Sequence, residues 1–290
     1  MIVPGAAPVY RRVRIQGLEC HEVALPDGDR VRVAEHGGHV LSWKSAGRER
    51  LYLSPSAVLD GRAAVRGGIP VCWPQFSDRG PLPRHGWLRV SPWCFQGASL
   101  ETETAALRFT VDPAAVRPSG VAWSADCEVT LLVSLAPGAL TLQLTVHNRG
   151  PQPLLFTGAL HTYLALDDAE FATVSGWSGE PSGWDAVRGH VCETVPRLGL
   201  RGEIDRILPA AAQALRVDDG SQSMLIEQDG WSDTVVWNPG AEKCAGLPDM
   251  PAGDERRMAC VEAAQVFQPV ELAPGAEWTG RQRLHVVRPH

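Results

Sequence analysis

From Leu140 to His147 the chain alternates apolar and polar side chains without a break: Leu, Thr, Leu, Gln, Leu, Thr, Val, His. That period of two is the signature of a strand covered on one face. Similar short runs occur at Leu107 to Val111, Glu128 to Leu135, Leu154 to Leu166, Met224 to Glu227, Thr234 to Trp237, Met258 to Ala264 and Trp278 to Val287. Turn formers separate them, among them Ala136-Pro137-Gly138, Asn148-Arg149-Gly150-Pro151, Asp218-Asp219-Gly220 and Ala273-Pro274-Gly275. No long stretch sustains a 3.6-residue period. The pattern predicts an all-β protein, a large antiparallel β-sandwich occupying residues 1–290 as one domain. Trp177 to Leu200 is turn-rich and reads as an excursion at a sheet edge.

Composition adds limits. The chain is 44% hydrophobic and 21% charged, ordinary for a water-soluble globular protein. It has no apolar run of about 18 residues, and Met1 to Val13 lacks the layout of a secretory leader. These features predict a cytoplasmic protein with no membrane partner. The seven cysteines are odd in number and include no C-x-x-C pair. Neither a disulfide framework nor a zinc site is expected, and most should be small buried apolar residues. No amphipathic seam is evident, so a monomer is expected.

Charge changes the picture in one place. Arg62 to Trp93 holds five arginines against one aspartate, in a chain whose net charge is -6. So local a reversal suits a small anionic ligand and not the broad basic face that nucleic acid requires. Within it, Arg66-Gly67-Gly68 would let a guanidinium and backbone N–H groups converge on one anion. A solvated surface loop is the plainer alternative. The segment lacks the Lys-Ser/Thr ending of a phosphate-binding P-loop.

Three other segments hold candidate chemistry. In a strand through Phe156 to Leu164, His161 shares a face with Thr157, Ala159 and Tyr163, small or polar neighbours that leave room for a ligand. Taken alone, a structural histidine hydrogen-bonded within a sheet is the plainer reading. Glu262 lies in the apolar run Met258 to Ala264 and shares its face with Cys260 and Ala264. A carboxylate there is costly to bury unless paired or functional. Asp205 could accept hydrogen bonds from a hydroxylated ligand, although a turn-closing role is the simpler reading. Trp73, Trp87 and Trp237 are open between core and sugar-stacking roles.

Taken in order, R-G-G-I-P-V-C-W-P, L-P-R-H-G-W-L-R, A-L-H-T-Y-L, I-D-R-I, T-V-V-W-N-P-G-A-E-K and M-A-C-V-E-A-A resemble the motifs of hexose-6-phosphate mutarotases. These form the glucose-6-phosphate 1-epimerase branch of the aldose 1-epimerase, or galactose mutarotase-like, superfamily. The resemblance implies a supersandwich with its site on a concave sheet face and a hexose 6-phosphate as small-molecule substrate. It implies His161 as general acid, Glu262 as general base and Asp205 as a ligand for sugar hydroxyls. Arg66 and Arg89 would hold the phosphate, and His85 would line the pocket. No metal or other cofactor is implied. Two positions depart from the family pattern. Arg84 stands where Ser or Gln is more usual, as a further phosphate contact or a solvated side chain. Gln75-Phe76-Ser77 replaces an aromatic and a glycine, which bears on the shape of the pocket wall. Two alternatives remain at this stage: an aldose 1-epimerase for unphosphorylated sugars, and a non-catalytic carbohydrate-binding protein on the same scaffold.

Overall fold

The structure is a computed structural model that describes residues 7–178 and 181–287. Its sheets are antiparallel throughout. A nine-stranded sheet runs in the order Arg197–Gly199, Thr173–Ser175, Leu215–Asp218, Ser223–Asp229, Glu277–Val287, Ala139–Asn148, Cys127–Ala136, Ala105–Val111, Cys94–Leu100. Its centre shows why the alternating pattern produces a strand. Leu140, Leu142, Leu144 and Val146 are fully buried and stand opposite Leu135, Val133, Leu131 and Val129 of the neighbouring strand. The intervening Thr141, Gln143, Thr145 and His147 are half-buried on the other face.

An eight-stranded sheet lies across this core, in the order His190–Cys192, Gly183–Asp185, Glu203–Pro209, Asp233–Pro239, Met258–Leu272, Leu154–Leu160, Val71–Cys72, with Tyr163–Ala165 also paired to Met258–Leu272. Its central strand is buried on both sides from Met258 to Val266. Ala259, Val261 and Ala263 join the main core between the two sheets. Cys260, Ala264 and Val266 face the other way, into smaller clusters. Glu262, in phase with the second set, is thereby turned away from the intersheet core.

Three features differ from the sequence pattern. Five strands between Val9 and Glu49 form a separate sheet that the pattern left unassigned; the first, Val9–Ile15, is arginine-rich and largely exposed, with no apolar stripe to reveal it. The run Leu154 to Leu166 is not one strand. After Leu160 the backbone changes partner: His161 N donates to Pro70 O at 3.0 Å and Tyr163 N to Gly68 O at 2.9 Å. Trp177 to Leu200 does lie at sheet edges but contains three short strands: Arg197–Gly199 and His190–Cys192 are the edges of the two large sheets, and Gly183–Asp185 pairs beside the latter. No helix among the described residues is long and apolar enough to cross a membrane.

Candidate active site

The outer face of the eight-stranded sheet forms the floor of a cleft of about 410 Å³. Each strand sends in a side chain at the position its alternation dictates: Glu262 from Met258–Leu272, Trp237 and Val235 from Asp233–Pro239, Asp205 and Ile207 from Glu203–Pro209. His161 enters from the break after Leu160. The irregular arginine segment supplies the wall, with Phe76 and His85 on it, and Arg66, Arg79, Arg84 and Arg89 all line the cleft. A short helix, Gly240–Ala245, brings Lys243 to the opposite rim. All seven residues singled out from sequence thus share one cavity.

His161 Nδ1 lies 3.3 Å from Glu262 Oε1, and the two side chains are 11% and 2% exposed. His161 Nδ1 and Glu262 Oε2 have no hydrogen-bond partner among the described residues. Burying such groups unsatisfied is expensive, which singles the pair out within the cleft. Burial, and then the charge of Asp205, push the Glu262 carboxyl well above its usual range. Burial lowers the His161 imidazole, helped by His85, Arg89 and Arg66. Both shifts disfavour the charged forms, as burial does for any acid or base. Burial first, then the charges of Arg89, Arg84 and Arg66, bring His85 down to about 3. Asp205 is raised, again mainly by burial.

The imidazole is enclosed on several sides. Tyr163 stacks on it with centroids 4.9 Å apart and planes 8° from parallel, and Trp237 meets it edge-on at 6.3 Å. Cys260 lies behind: one donor atom each from His161, Cys260 and Glu262 falls within 4.8 Å of the others. Burial holds that thiol well above its ordinary range, with Glu262 adding to the effect. A protonated thiol beside a carboxyl biased toward neutrality is a poor cation site.

Some assignments need revision. Asp205 lies within a strand, opposite Trp237, and does not close a turn. Arg66 is held in place by two neighbours. Its Nε donates to Asp249 Oδ1 at 3.2 Å and its Nη1 to the Tyr163 hydroxyl at 3.1 Å. Arg89 donates from Nη2 to Arg84 O at 3.1 Å, while its buried Nε has no partner among the described residues. Trp73 and Trp87 are core residues, whereas Trp237 lines the cleft. Sequence reasoning did not single out Arg79 and Lys243. Arg79 was counted only as part of the positive segment, and Lys243 sits on a helix too short to show a period. A second hollow of about 500 Å³ lies against the N-terminal sheet, lined by Leu41, Tyr52 and Leu53 among others. It contains no comparable acid–base pair.

The aldose 1-epimerase family model matches residues 20–285. This chain belongs to the aldose 1-epimerase family. It is 32% identical over 270 residues to a Cenchrus ciliaris protein provisionally named glucose-6-phosphate 1-epimerase, covering 87% of this chain and 80% of that protein. An Escherichia coli K12 protein with the same provisional name is 27% identical over 268 residues, 91% of this chain and 88% of its own length. The crystal structure of YeaD from Salmonella typhimurium, provisionally called a mutarotase, superposes with a TM-score of 0.88 at 24% identity, covering 97% of this chain and 94% of that one. A galactose mutarotase-like protein from Clostridium acetobutylicum gives a TM-score of 0.76 at 14% identity, covering 98% and 99%. These two likenesses show the galactose mutarotase-like fold.

The departure at Gln75 has a clear structural role in this epimerase-family chain. Its buried amide donates to Ser77 O and Leu82 O at 3.1 and 2.9 Å and accepts from Leu82 N at 2.9 Å. Gln75 therefore staples the loop that carries Arg79 and Arg84 from inside, and the adjacent Phe76 faces the cleft.

Proposed function

We propose that this protein interconverts the α and β anomers of hexose 6-phosphates, with glucose 6-phosphate as the foremost substrate. The observation that supports this best is a buried histidine–glutamate pair, 3.3 Å apart, in a cleft bordered by four arginines and a lysine. Membership of the aldose 1-epimerase family and the provisional names of its relatives point the same way.

Anomer exchange requires the pyranose ring to open and close. In the ionised arrangement of the pair, Glu262 takes the proton from the C1 hydroxyl as His161 delivers one to the ring oxygen. The C1–O5 bond breaks and a C1 aldehyde forms. The aldehyde then rotates about C1–C2. Closure reverses both transfers, returning the pair to its starting protonation. One proton shared between two carriers suffices, and each positioned carrier is worth roughly 10²–10⁴-fold. Asp205, which lines the same cleft, accepts hydrogen bonds from sugar hydroxyls. The phosphate, with a charge of about -1.5 to -2, is far from the bonds that change. Held at the cationic rim, it fixes the sugar while C1 rotates.

Two measurements test this. Freshly dissolved α-glucose 6-phosphate should reach anomeric equilibrium faster with the protein than in buffer; a buffer rate at saturating substrate contradicts the proposal. Arg89→Ala removes a guanidinium with a spare buried Nε. A lost charge-assisted contact should raise KM for glucose 6-phosphate by roughly 10-fold or more and leave KM for free glucose nearly unchanged. Equal changes for both sugars would remove Arg89 from the phosphate site.

A further inference from the structure

Arg66 and His161 are joined through Tyr163. The phenol lies flat against the imidazole, and its hydroxyl accepts a hydrogen bond from Arg66 Nη1 at 3.1 Å. Asp249 holds Arg66 from the other side through Nε. The backbone of Tyr163 is tied to the same region: its N–H donates to Gly68 O at 2.9 Å, and its carbonyl accepts from Tyr52 N at 3.0 Å. Trp237 meets the Tyr163 ring edge-on at 6.1 Å, as it does the imidazole. Tyr163 is 3% exposed, so its ring cannot turn without disturbing these neighbours. Arg66 lines the cleft, and its two side-chain hydrogen bonds use Nε and Nη1. The guanidinium, the phenol and the imidazole are thus in contact in series.

We propose that Tyr163 is a positioning residue that couples a phosphate dianion at Arg66 to the orientation of the His161 ring. The dianion then contributes to turnover as well as to binding, because fixing Arg66 fixes the stack that aims the general acid. This inference rests on the hexose 6-phosphate reading above and adds a residue and a mode of action to it.

The test uses the full chain and a substrate cut in two: free glucose with added inorganic phosphite dianion. For the wild type, phosphite should raise kcat/KM for glucose mutarotation. No activation by phosphite overturns the coupling without recourse to any variant. Tyr163→Phe keeps the stack and loses the tether. It should lower kcat for glucose 6-phosphate by roughly 10-fold to 10²-fold, with little change in KM, and should abolish most of the phosphite activation. Tyr163→Leu, which loses the stack too, should be worse in kcat and should displace the pH profile of kcat. A merely structural role would lower thermal stability but leave kcat per folded molecule and phosphite activation intact; that outcome overturns the proposal. If the wild type equilibrates α-glucose 6-phosphate and Tyr163→Phe matches it throughout, the coupling alone fails. If the wild type does not, the substrate reading fails and takes the coupling with it.

Discussion

Glu262 is 1% exposed, inside a strand whose other residues from Met258 to Val266 are also buried. That carboxyl was legible in the sequence because a charge within an apolar β run needs an explanation. Its partner was only half legible: alternation put His161 on a face with Ala159 and Tyr163, but not beside Glu262. Asp249 could not have been found, since nothing local ties it to Arg66, 183 positions away. A different histidine yields a pH prediction. His39 is fully buried, its Nε2 lies 2.7 Å from Gly67 O, and burial lowers its pKa from 6.5 to about 4. Between those values the unfolded chain binds a proton that the folded protein refuses, so stability is complete above pH 6.5 and is lost as pH falls toward 4. The loss attributable to His39 between about pH 7.5 and about pH 5 is about 2 kcal/mol. His85 and His161 act in the same direction. Urea unfolding at the two pH values should show His39→Gln losing about 2 kcal/mol less than the wild type. Equal losses would mean that His39 is protonated in the fold.

At the level of elements, legibility followed burial asymmetry. Cys127–Ala136 and Ala139–Asn148 have one dry face and one half-wet face, and the alternation shows it. The break at His161 has no such signature. It arises because carbonyls of Gly68 and Pro70, remote in sequence, take over the backbone bonds. The arginine wall was recognisable as irregular, but its rigidity depends on close approaches that composition hides. Gly86 has φ +66, and a Cβ there would sit 1.9 Å from Trp73 O. The loop carrying Arg79, Arg84 and His85 returns to the core at that point. Gly86→Ala should therefore displace the loop, costing roughly 2 kcal/mol or more and raising KM for glucose 6-phosphate. Chemical denaturation with steady-state kinetics checks both, and an unchanged midpoint with unchanged KM would show that the approach is not needed.

Over the whole molecule, topology turns distant motifs into one site. Residues from Arg66 to Glu262 meet because Met258–Leu272 lies centrally in its sheet, between Asp233–Pro239 and Leu154–Leu160. The order of motifs identified the family and hence the fold; the register of those strands decides which side chains touch. Charge follows the same division, with cations gathered at the cleft of a protein whose net charge is -6. That asymmetry draws a dianion to the rim, while the low-dielectric floor holds the proton carriers. Magnetisation exchange between the α and β C1 resonances of glucose 6-phosphate, recorded at equilibrium, tests the central claim most directly. Wild-type protein should accelerate the exchange, and His161→Asn and Glu262→Gln, folded by circular dichroism, should each slow it by roughly 10²–10⁴-fold. Exchange at the wild-type rate in either variant would contradict the account.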